Sequence, residues 1–387
     1  MRKPIRLGII GCGLMGREIA SAVLRYPHLP ETTALPSVVA VCDHAPDRMQ
    51  WFTDNIPTVS QATTDFRELL ANPHVDAIYA AVPHQLHHII YPAVIESGKA
   101  LLGEKPFGID IQANDQILNA CSQHPEVVVR SASEFPYFPG AVQLVDLVTQ
   151  GQLGRLIEVE AGFWHSSDWN PDKPINWKRQ VATNGAYGCM GDLGLHVVHL
   201  PIRLGIEFHR VYAQLTNVIT QRPGSHGAME ACDTWDNAYL QVSGQYSGAM
   251  VPLTLTTKRI MPGHANTWFI RVVGTQGAAE FSTQNPKVLR QIYRDASNAS
   301  PSWQWEEVAH RSVFSSVTGS IFEFGFSDAI LQMLAAFLEE VVGANVPALW
   351  RCVSPEETHL SHQLFTAALQ SQADGAPIDI AMTVTNG

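Results

Sequence analysis

Three groups of residues could do chemistry together. Asp192 and His196 stand four residues apart in Gly191-Asp192-Leu193-Gly194-Leu195-His196, Lys105 lies in Gly103-Glu104-Lys105-Pro106, and Gly11-Cys12-Gly13-Leu14-Met15-Gly16 runs near the start. A helix carries positions i and i+4 on one face, so the carboxylate and the imidazole can meet. An imidazole with an unperturbed pKa of ~6.5 is suited to take a hydroxyl proton near neutrality. The neighbouring carboxylate can fix its tautomer and orientation. A lysine ammonium can stabilise charge building on a reacting oxygen. In this order the three groups are the parts needed to move a hydride from an alcohol carbon to a nicotinamide and a proton to a base. Taken singly they fit plainer roles: a helix cap with a core histidine at 192 and 196, and a solvated surface lysine at 105.

The elements that must position these residues follow from the hydrophobic pattern. In the first third, strand-like runs (5–10, 38–42, 75–82, 101–102, 127–129) alternate with helical ones (17–24, 66–70, 87–97, 111–121). Such alternation predicts a parallel doubly wound sheet, the Rossmann arrangement. After Pro139 one helix (141–149) precedes longer strand-like runs at 156–164, 209–219, 238–246, 250–257, 268–273 and 278–281. Several alternate in polarity, as in an antiparallel sheet with one wet face. Two helical patterns follow (326–342 and 355–372), and 222–228 and 294–302 read as loops. The chain is therefore read as α/β: a dinucleotide-binding domain over 1–133, then an α+β domain over 134–387 with an open, mainly antiparallel sheet.

The glycine loop sits between a strand and a helix, the context a dinucleotide fingerprint requires. Gly11 allows the tight turn, Gly13 lets the backbone approach a pyrophosphate, and Gly16 lets helix and sheet pack closely; Leu14 and Met15 complete the cradle at the helix N-terminus. Asp43 ends the second strand, where a carboxylate can accept both ribose hydroxyls of NAD and repel the extra phosphate of NADP. It comes later than the usual ~20-residue spacing, as an insertion over 25–37 would cause. Its plainer role is a helix cap. NAD is the expected cofactor, ahead of NADP.

These motifs are similar to those of the Gfo/Idh/MocA family, which includes glucose–fructose oxidoreductase and inositol dehydrogenase. The resemblance runs through most of the chain: the glycine loop with Arg17, Val82-Pro83-His84-Gln85-Leu86-His87, Glu104-Lys105-Pro106, and the glycine-rich Asp-x-Gly-x-His stretch within 185–200. It implies that Lys105, Asp192 and His196 are catalytic. It also implies that Pro83, His84, His87, Glu104 and Lys105 line the cofactor, and that the bond before Pro106 is often cis. Two departures bear on substrate choice: His84 stands where the family often has Asn, and Glu134-Phe135-Pro136-Tyr137 is acidic and aromatic where the family is rich in Asn and Arg.

On the substrate side, Glu134, Trp164, Trp177, Lys178, Arg179 and His199 are the candidates. Indoles beside polar groups suit a sugar ring, although tryptophans also serve cores and interfaces. No second glycine loop or dense basic cluster is present to grip a phosphate. A neutral sugar, cyclitol or glycoside is expected, with Lys178 and Arg179 leaving room for a sugar acid. Asp192, His196, His199 and His165 could form an N/O set for zinc; no metal is expected, because the nicotinamide route needs none. The leading function is oxidation of a secondary hydroxyl. A redox-neutral glycoside hydrolase with tightly bound NAD and a non-catalytic NAD-bound regulator are the alternatives.

Composition sets outer bounds. Across 387 residues, 25 Lys and Arg face 36 Asp and Glu, a net charge of −11 that argues against a nucleic-acid surface. No apolar run reaches the ~20 residues of a membrane span. The opening Met1-Arg2-Lys3-Pro4 before an apolar run mimics a signal peptide, but the glycines fit a first strand and loop better. Six cysteines without Cys-x-x-Cys fit a reducing compartment, hence a cytoplasmic expectation. An exposed sheet face makes a homo-dimer or homo-tetramer the expected state.

Overall fold

The structure is a computed structural model and describes residues 2–224, 227–294, 301–308, 311–319 and 321–381. It divides into two compact units that interleave along the chain. The first comprises residues up to Gly108, Gln112–Tyr137 and Ser312–Thr358; the second comprises Ile109–Ile111, Phe138–Arg311 and the chain from His359 onward.

The first unit is a Rossmann fold. Its strands are β1 (Lys3–Ile10), β2 (Ala34–Cys42), β3 (Gln61–Thr63), β4 (Ala77–Ala80), β5 (Ala100–Gly103) and β6 (Val129–Ser131). They form one sheet in the order β3-β2-β1-β4-β5-β6, every pair parallel. Helices α1 (Leu14–Arg25), α2 (Pro46–Asn55), α3 (Phe66–Leu70), α4 (His87–Glu96) and α5 (Ile111–Gln123) alternate with the strands. The strands read as continuous apolar runs because a parallel sheet is buried on both faces, and Leu7, Ile9, Ile78 and Leu101 are fully buried. The insertion expected over 25–37 resolves into a single helical turn and an early start of β2 at Ala34.

The expected helix over 326–342 belongs to this unit as α9 (Phe326–Val341). Its face from Ile330 to Leu338 joins the core that also holds Ile19, Ala20 and Val23 of α1. At its end the Glu339 carboxylate accepts the Thr33 and Ala34 N–H groups, both at 2.8 Å, and so pins the start of β2.

The second unit carries α6 (Pro139–Thr149), α7 (Val181–Asn184), α8 (Cys189–Arg203) and most of α10 (Pro355–Asp374). Its strands are β7 (Leu156–Trp164), β8 (Glu207–Thr216), the hairpin β9 (Gln221–Pro223) and β10 (Met229–Ala231), β11 (Asn237–Tyr246), β12 (Ala249–Lys258), β13 (Thr267–Gly274), β14 (Gly277–Ser282), β15 (Val288–Tyr293), β16 (Gln304–Glu307) and β17 (Ile378–Asp379). Nine of them form a sheet in the order β16-β15-β14-β13-β7-β12-β11-β8-β17. The β7–β12 pair is parallel; the other described pairs are antiparallel. The stretch read as a loop at 222–228 contributes to the small hairpin, with 225–226 outside the described residues; of the second loop, 295–300 lie outside them as well.

Helix α8 covers one face of this sheet, over β7 and β12. Its thirteen residues from Cys189 to Pro201 are all buried. Gly194 is required there, since a Cβ would stand 2.4 Å from the Phe365 ring of α10. The other face is open: Tyr212, Tyr239, Met250 and Trp305 are exposed on it. Among the described residues, no helix is long and apolar enough to cross a membrane.

Candidate active site

The candidate residues fall into two groups, one in each unit. In the first unit they gather at the carboxyl ends of the parallel strands, where open α/β sheets bind ligands. Gly11 has φ +100, and a Cβ on it would lie 2.1 Å from the Ala81 carbonyl oxygen. A Cβ on Gly16 would lie 2.1 Å from the Gly11 oxygen. Both positions therefore demand glycine. A Cβ on Gly13, by contrast, would meet nothing within 4 Å. It would fill the open space that the fingerprint reserves for a pyrophosphate. Gly13 caps α1 without a side chain, so the first-turn N–H groups that lack helical partners face outward. Leu14 beside it is exposed and Met15 is half-buried.

Asp43 follows β2 directly. Its two carboxylate oxygens accept the Cys12 and Ala45 N–H groups, each at 2.9 Å, so it braces the glycine loop and its own turn together. His44 and Arg48 lie at its exposed edge, 3.2 and 3.8 Å from Oδ1. The donors and the cradle fit a dinucleotide.

Beyond β4, Pro83 leads into a turn holding His84, which is buried. His87 is fully buried and stacks on Tyr91 at 4.5 Å. Its Nε2 lies 3.1 Å from the Val82 carbonyl, while Nδ1 accepts the Gly108 N–H at 3.2 Å. It ties two loops from behind and offers no surface to a nucleotide, so its expected place in the cofactor lining is corrected to a supporting one. Glu104 accepts the Tyr79 hydroxyl at 2.6 Å, and the Lys105–Pro106 bond is cis. Glu134 is buried. Burial and the nearby Glu104 charge push its carboxyl up to about 8, against the pull of Lys105.

In the second unit the sequence places Asp192 and His196 one turn apart on α8, both nearly buried. The Lys178 ammonium donates to both Asp192 oxygens at 2.9 and 3.1 Å. The Arg259 guanidinium reaches Asp192 Oδ2 at 2.9 Å. His196 packs edge-on against Phe163 of β7, centroids 5.5 Å apart, and its backbone carbonyl accepts the Trp268 indole N–H at 2.8 Å. His165 also packs on Phe163, ring centroids 4.7 Å apart. Burial holds its pKa below the usual histidine value, against the attraction of Asp192.

Successive residues of a strand point to opposite faces. Phe163 faces α8, so Trp164 faces away. It donates to Thr256 Oγ1 at 2.8 Å, packs on Phe269, and lines a cavity of about 250 Å³ with Trp305 on the open face. Trp164 is thus on the sheet face opposite His196, a correction to its expected place beside the acid–histidine pair. Arg179 is also displaced from the expected substrate role. It is completely buried, pairing with Asp168 at 2.9 Å and Asp236 at 2.6 Å and donating to Thr234. Burial raises the Asp168 pKa, but Arg259, Arg179 and Lys173 outweigh it and hold the carboxyl below its ordinary value. His199 is buried with both ring nitrogens unpartnered, its pKa driven well down by burial and then by Arg203. It offers no surface to a substrate. Trp177 and Lys178 remain half-buried, the ammonium 5.7 Å from the indole centroid. Among the described residues, no group of three or more His, Cys, Asp or Glu is placed to hold a metal ion.

Sequence reasoning missed Arg259 and Asp236. Neither has a spacing that links it to Asp192 or Arg179. The one signal was an arginine at the end of a strongly apolar strand.

Two family profiles match the chain: an oxidoreductase-family profile with an NAD-binding Rossmann fold over residues 5–131, and the GFO/IDH/MocA C-terminal domain over 141–280. The chain belongs to the GFO/IDH/MocA oxidoreductase family. Curated relatives include levoglucosan dehydrogenase of Pseudarthrobacter phenanthrenivorans, 25% identical over 59% of this chain and 58% of the relative. Another is inositol 2-dehydrogenase/D-chiro-inositol 3-dehydrogenase of Lactiplantibacillus plantarum, 24% identical over 42% of this chain and 45% of the relative. The match thus spans roughly half of each relative's length. Levoglucosan dehydrogenase in complex with NADH and levoglucosan shares the fold at a TM-score of 0.86 and 19% identity, covering 98% of this chain and 100% of that one. An inositol dehydrogenase homolog with NAD+ from Azotobacter vinelandii gives 0.78 at 20% identity, covering 97% of each.

Proposed function

We propose that this protein is an NAD-dependent dehydrogenase that oxidises a secondary hydroxyl of a sugar, cyclitol or related polyol. The observation that carries the reading is the acid–histidine pair on α8, with the carboxylate fixed by two cations, in a chain of this family. Gly11, Gly13 and Gly16 hold the pyrophosphate against the start of α1, and Asp43 takes the ribose. When bound, the dinucleotide supplies the hydride acceptor. His196 accepts the proton of the reacting hydroxyl. Lys105 donates to the same oxygen and stabilises its developing charge. Asp192 orients His196.

Relatives named for levoglucosan and inositol favour a cyclic polyol without phosphate. The division of labour expected at 1–133 for the cofactor and 134–387 for the substrate and for self-association through the open sheet face is carried by the two units, with 134–137 and 312–358 folding as part of the first. A homo-dimer or homo-tetramer in the cytoplasm completes the reading.

The test is His196→Ala and Lys105→Ala, with NAD binding and single-turnover rate measured on a panel of sugars and cyclitols. Loss of a general base costs ~10²–10⁴-fold in rate, and loss of an oxyanion donor ~10²–10³-fold. NAD affinity should change much less than turnover in both variants. A variant that binds NAD and turns over at the wild-type rate removes that residue from the mechanism. Release of a nitrophenyl group from glycosides, with no net NADH, would instead support redox-neutral hydrolysis.

A further inference from the structure

We infer that Arg259 is a positioning residue for the proton acceptor: with Lys178 it locks Asp192 as a carboxylate and thereby sets the pH at which His196 is free to act. The inference rests on the reading of His196 as the base.

Arg259 follows β12 and is 2% exposed. Its Nη2 meets Asp192 at 2.9 Å and Asn184 Oδ1 at 3.4 Å, while Nη1 donates to the Lys178 carbonyl at 3.1 Å. Its own N–H donates to the Asp236 carbonyl at 3.0 Å. One side chain therefore joins the Lys178 loop and α7 to the first turn of α8. Arg179 and Arg259 have separate work. Arg179 closes a pair with Asp168 and Asp236; Arg259 lies 3.9 Å from Asp168 and closes on Asp192.

The chemistry follows from the charges. A buried carboxylate without a partner takes up a proton, whereas a close cation keeps it ionised. A guanidinium stays charged at any working pH, so Arg259 is a permanent partner; the Lys178 ammonium is partly solvated. Two cations on one carboxylate also offset its pull on the neighbouring imidazolium. His196 is thereby oriented by a carboxylate whose charge is balanced, and it stays a neutral base to lower pH than beside a bare one. The charged and titratable groups around this end of α8 are His165 after β7, Asp168, Lys178 and Arg179 on the connecting loop, Asp236 before β11, and Arg259 after β12. On the helix itself His199 is held neutral by burial, and so is the Cys189 thiol, pushed up to about 11.

The experiment uses the full chain with NAD present and compares wild type, Arg259→Lys, Arg259→Met and Lys178→Met. The His196 ring protons are titrated by NMR, and kcat is followed against pH. Removing the Arg259 charge should raise the His196 midpoint by about one pH unit. The acid limb of kcat should rise with it, so that kcat near pH 6 falls about tenfold while NAD affinity is unchanged. Arg259→Lys should restore most of the midpoint. If Arg259→Met does not fold, Lys178→Met carries the test through its partly solvated side chain, with a smaller shift in the same direction. An unmoved His196 midpoint in the folded variants overturns the inference, even where kcat falls, because a merely structural arginine would act that way. A shifted midpoint in a protein whose His196→Ala variant turns over normally would overturn the assignment of the base and leave the electrostatic coupling standing.

Discussion

The two groups of candidate residues are built from different materials. Around the glycine loop the work is done by backbone: Gly11 and Gly16 permit contacts no side chain could survive, and even Asp43 spends its oxygens on two backbone N–H groups. Around α8 the work is done by side-chain charge. Asp192, Lys178, Arg259, Asp168, Arg179 and Asp236 meet from a helix, a loop and two strand ends. A backbone device asks for glycine at fixed positions, so one short segment shows its signature even where its partners, such as Ala81, lie far along the chain. A charge web is long-range, and its members answer only to the finished fold. The first kind should fail sharply in one function; the second should fail in stability and proton chemistry together.

Breaking the charge web should give the largest effect. Arg179→Met leaves Asp236 buried without its guanidinium and Asp168 with only Lys173 and the more distant Arg259; breaking a buried pair typically costs about 3–5 kcal/mol, and urea unfolding should show a loss of that size. Next comes the backbone device. Gly13→Val places a branched side chain in the pyrophosphate space and should weaken NAD binding about 10- to 100-fold by titration, with the unfolding midpoint little changed.

A third test uses pH. The Glu134 pKa is raised in the folded chain, from 4.5 to about 8. Between those values the folded state holds a proton that the unfolded state has released, so stability falls as pH rises through the window. Glu134→Gln should flatten that slope and melt higher than wild type above pH 8. The smallest effect sharpens the contrast from outside it. Trp164→Ala lies on the open face and should leave turnover within about twofold, while weakening self-association in sedimentation. A large fall in the turnover of the monomeric variant would return Trp164 to the substrate site.

The same contrast explains what could be read in advance. The strand–glycine–helix order, the end-of-strand Asp43 and the i, i+4 pair at 192 and 196 are all local patterns, and each was legible. Helix α2 and strand β3 escaped because Pro46–Asn55 is mostly polar, with apolar side chains only at Met49, Trp51 and Phe52 after the opening proline, and a three-residue edge strand has no period to detect. Trp164 was misplaced because adjacent aromatics at 163 and 164 leave the strand's facing undecided until Phe163 meets His196. His87, Arg179 and His199 have polar side chains whose burial depends on distant partners, such as Gly108 for His87 and Asp236 for Arg179. No window of sequence contains both ends of those contacts.

Helix α9 carries one more consequence, for how the chain is made. The core of the first unit holds Ile330, Leu334 and Phe337 against α1, and Glu339 pins the start of β2. A ribosome adding residues from the amino end delivers all six Rossmann strands before it delivers α9. Until then the surface of α1 and β2 that α9 covers stays wet and apolar, the condition in which nascent chains aggregate or recruit chaperones. The first unit to be synthesised is therefore not finished first: it waits, through the synthesis of most of the second unit, for a helix encoded near the other end of the message.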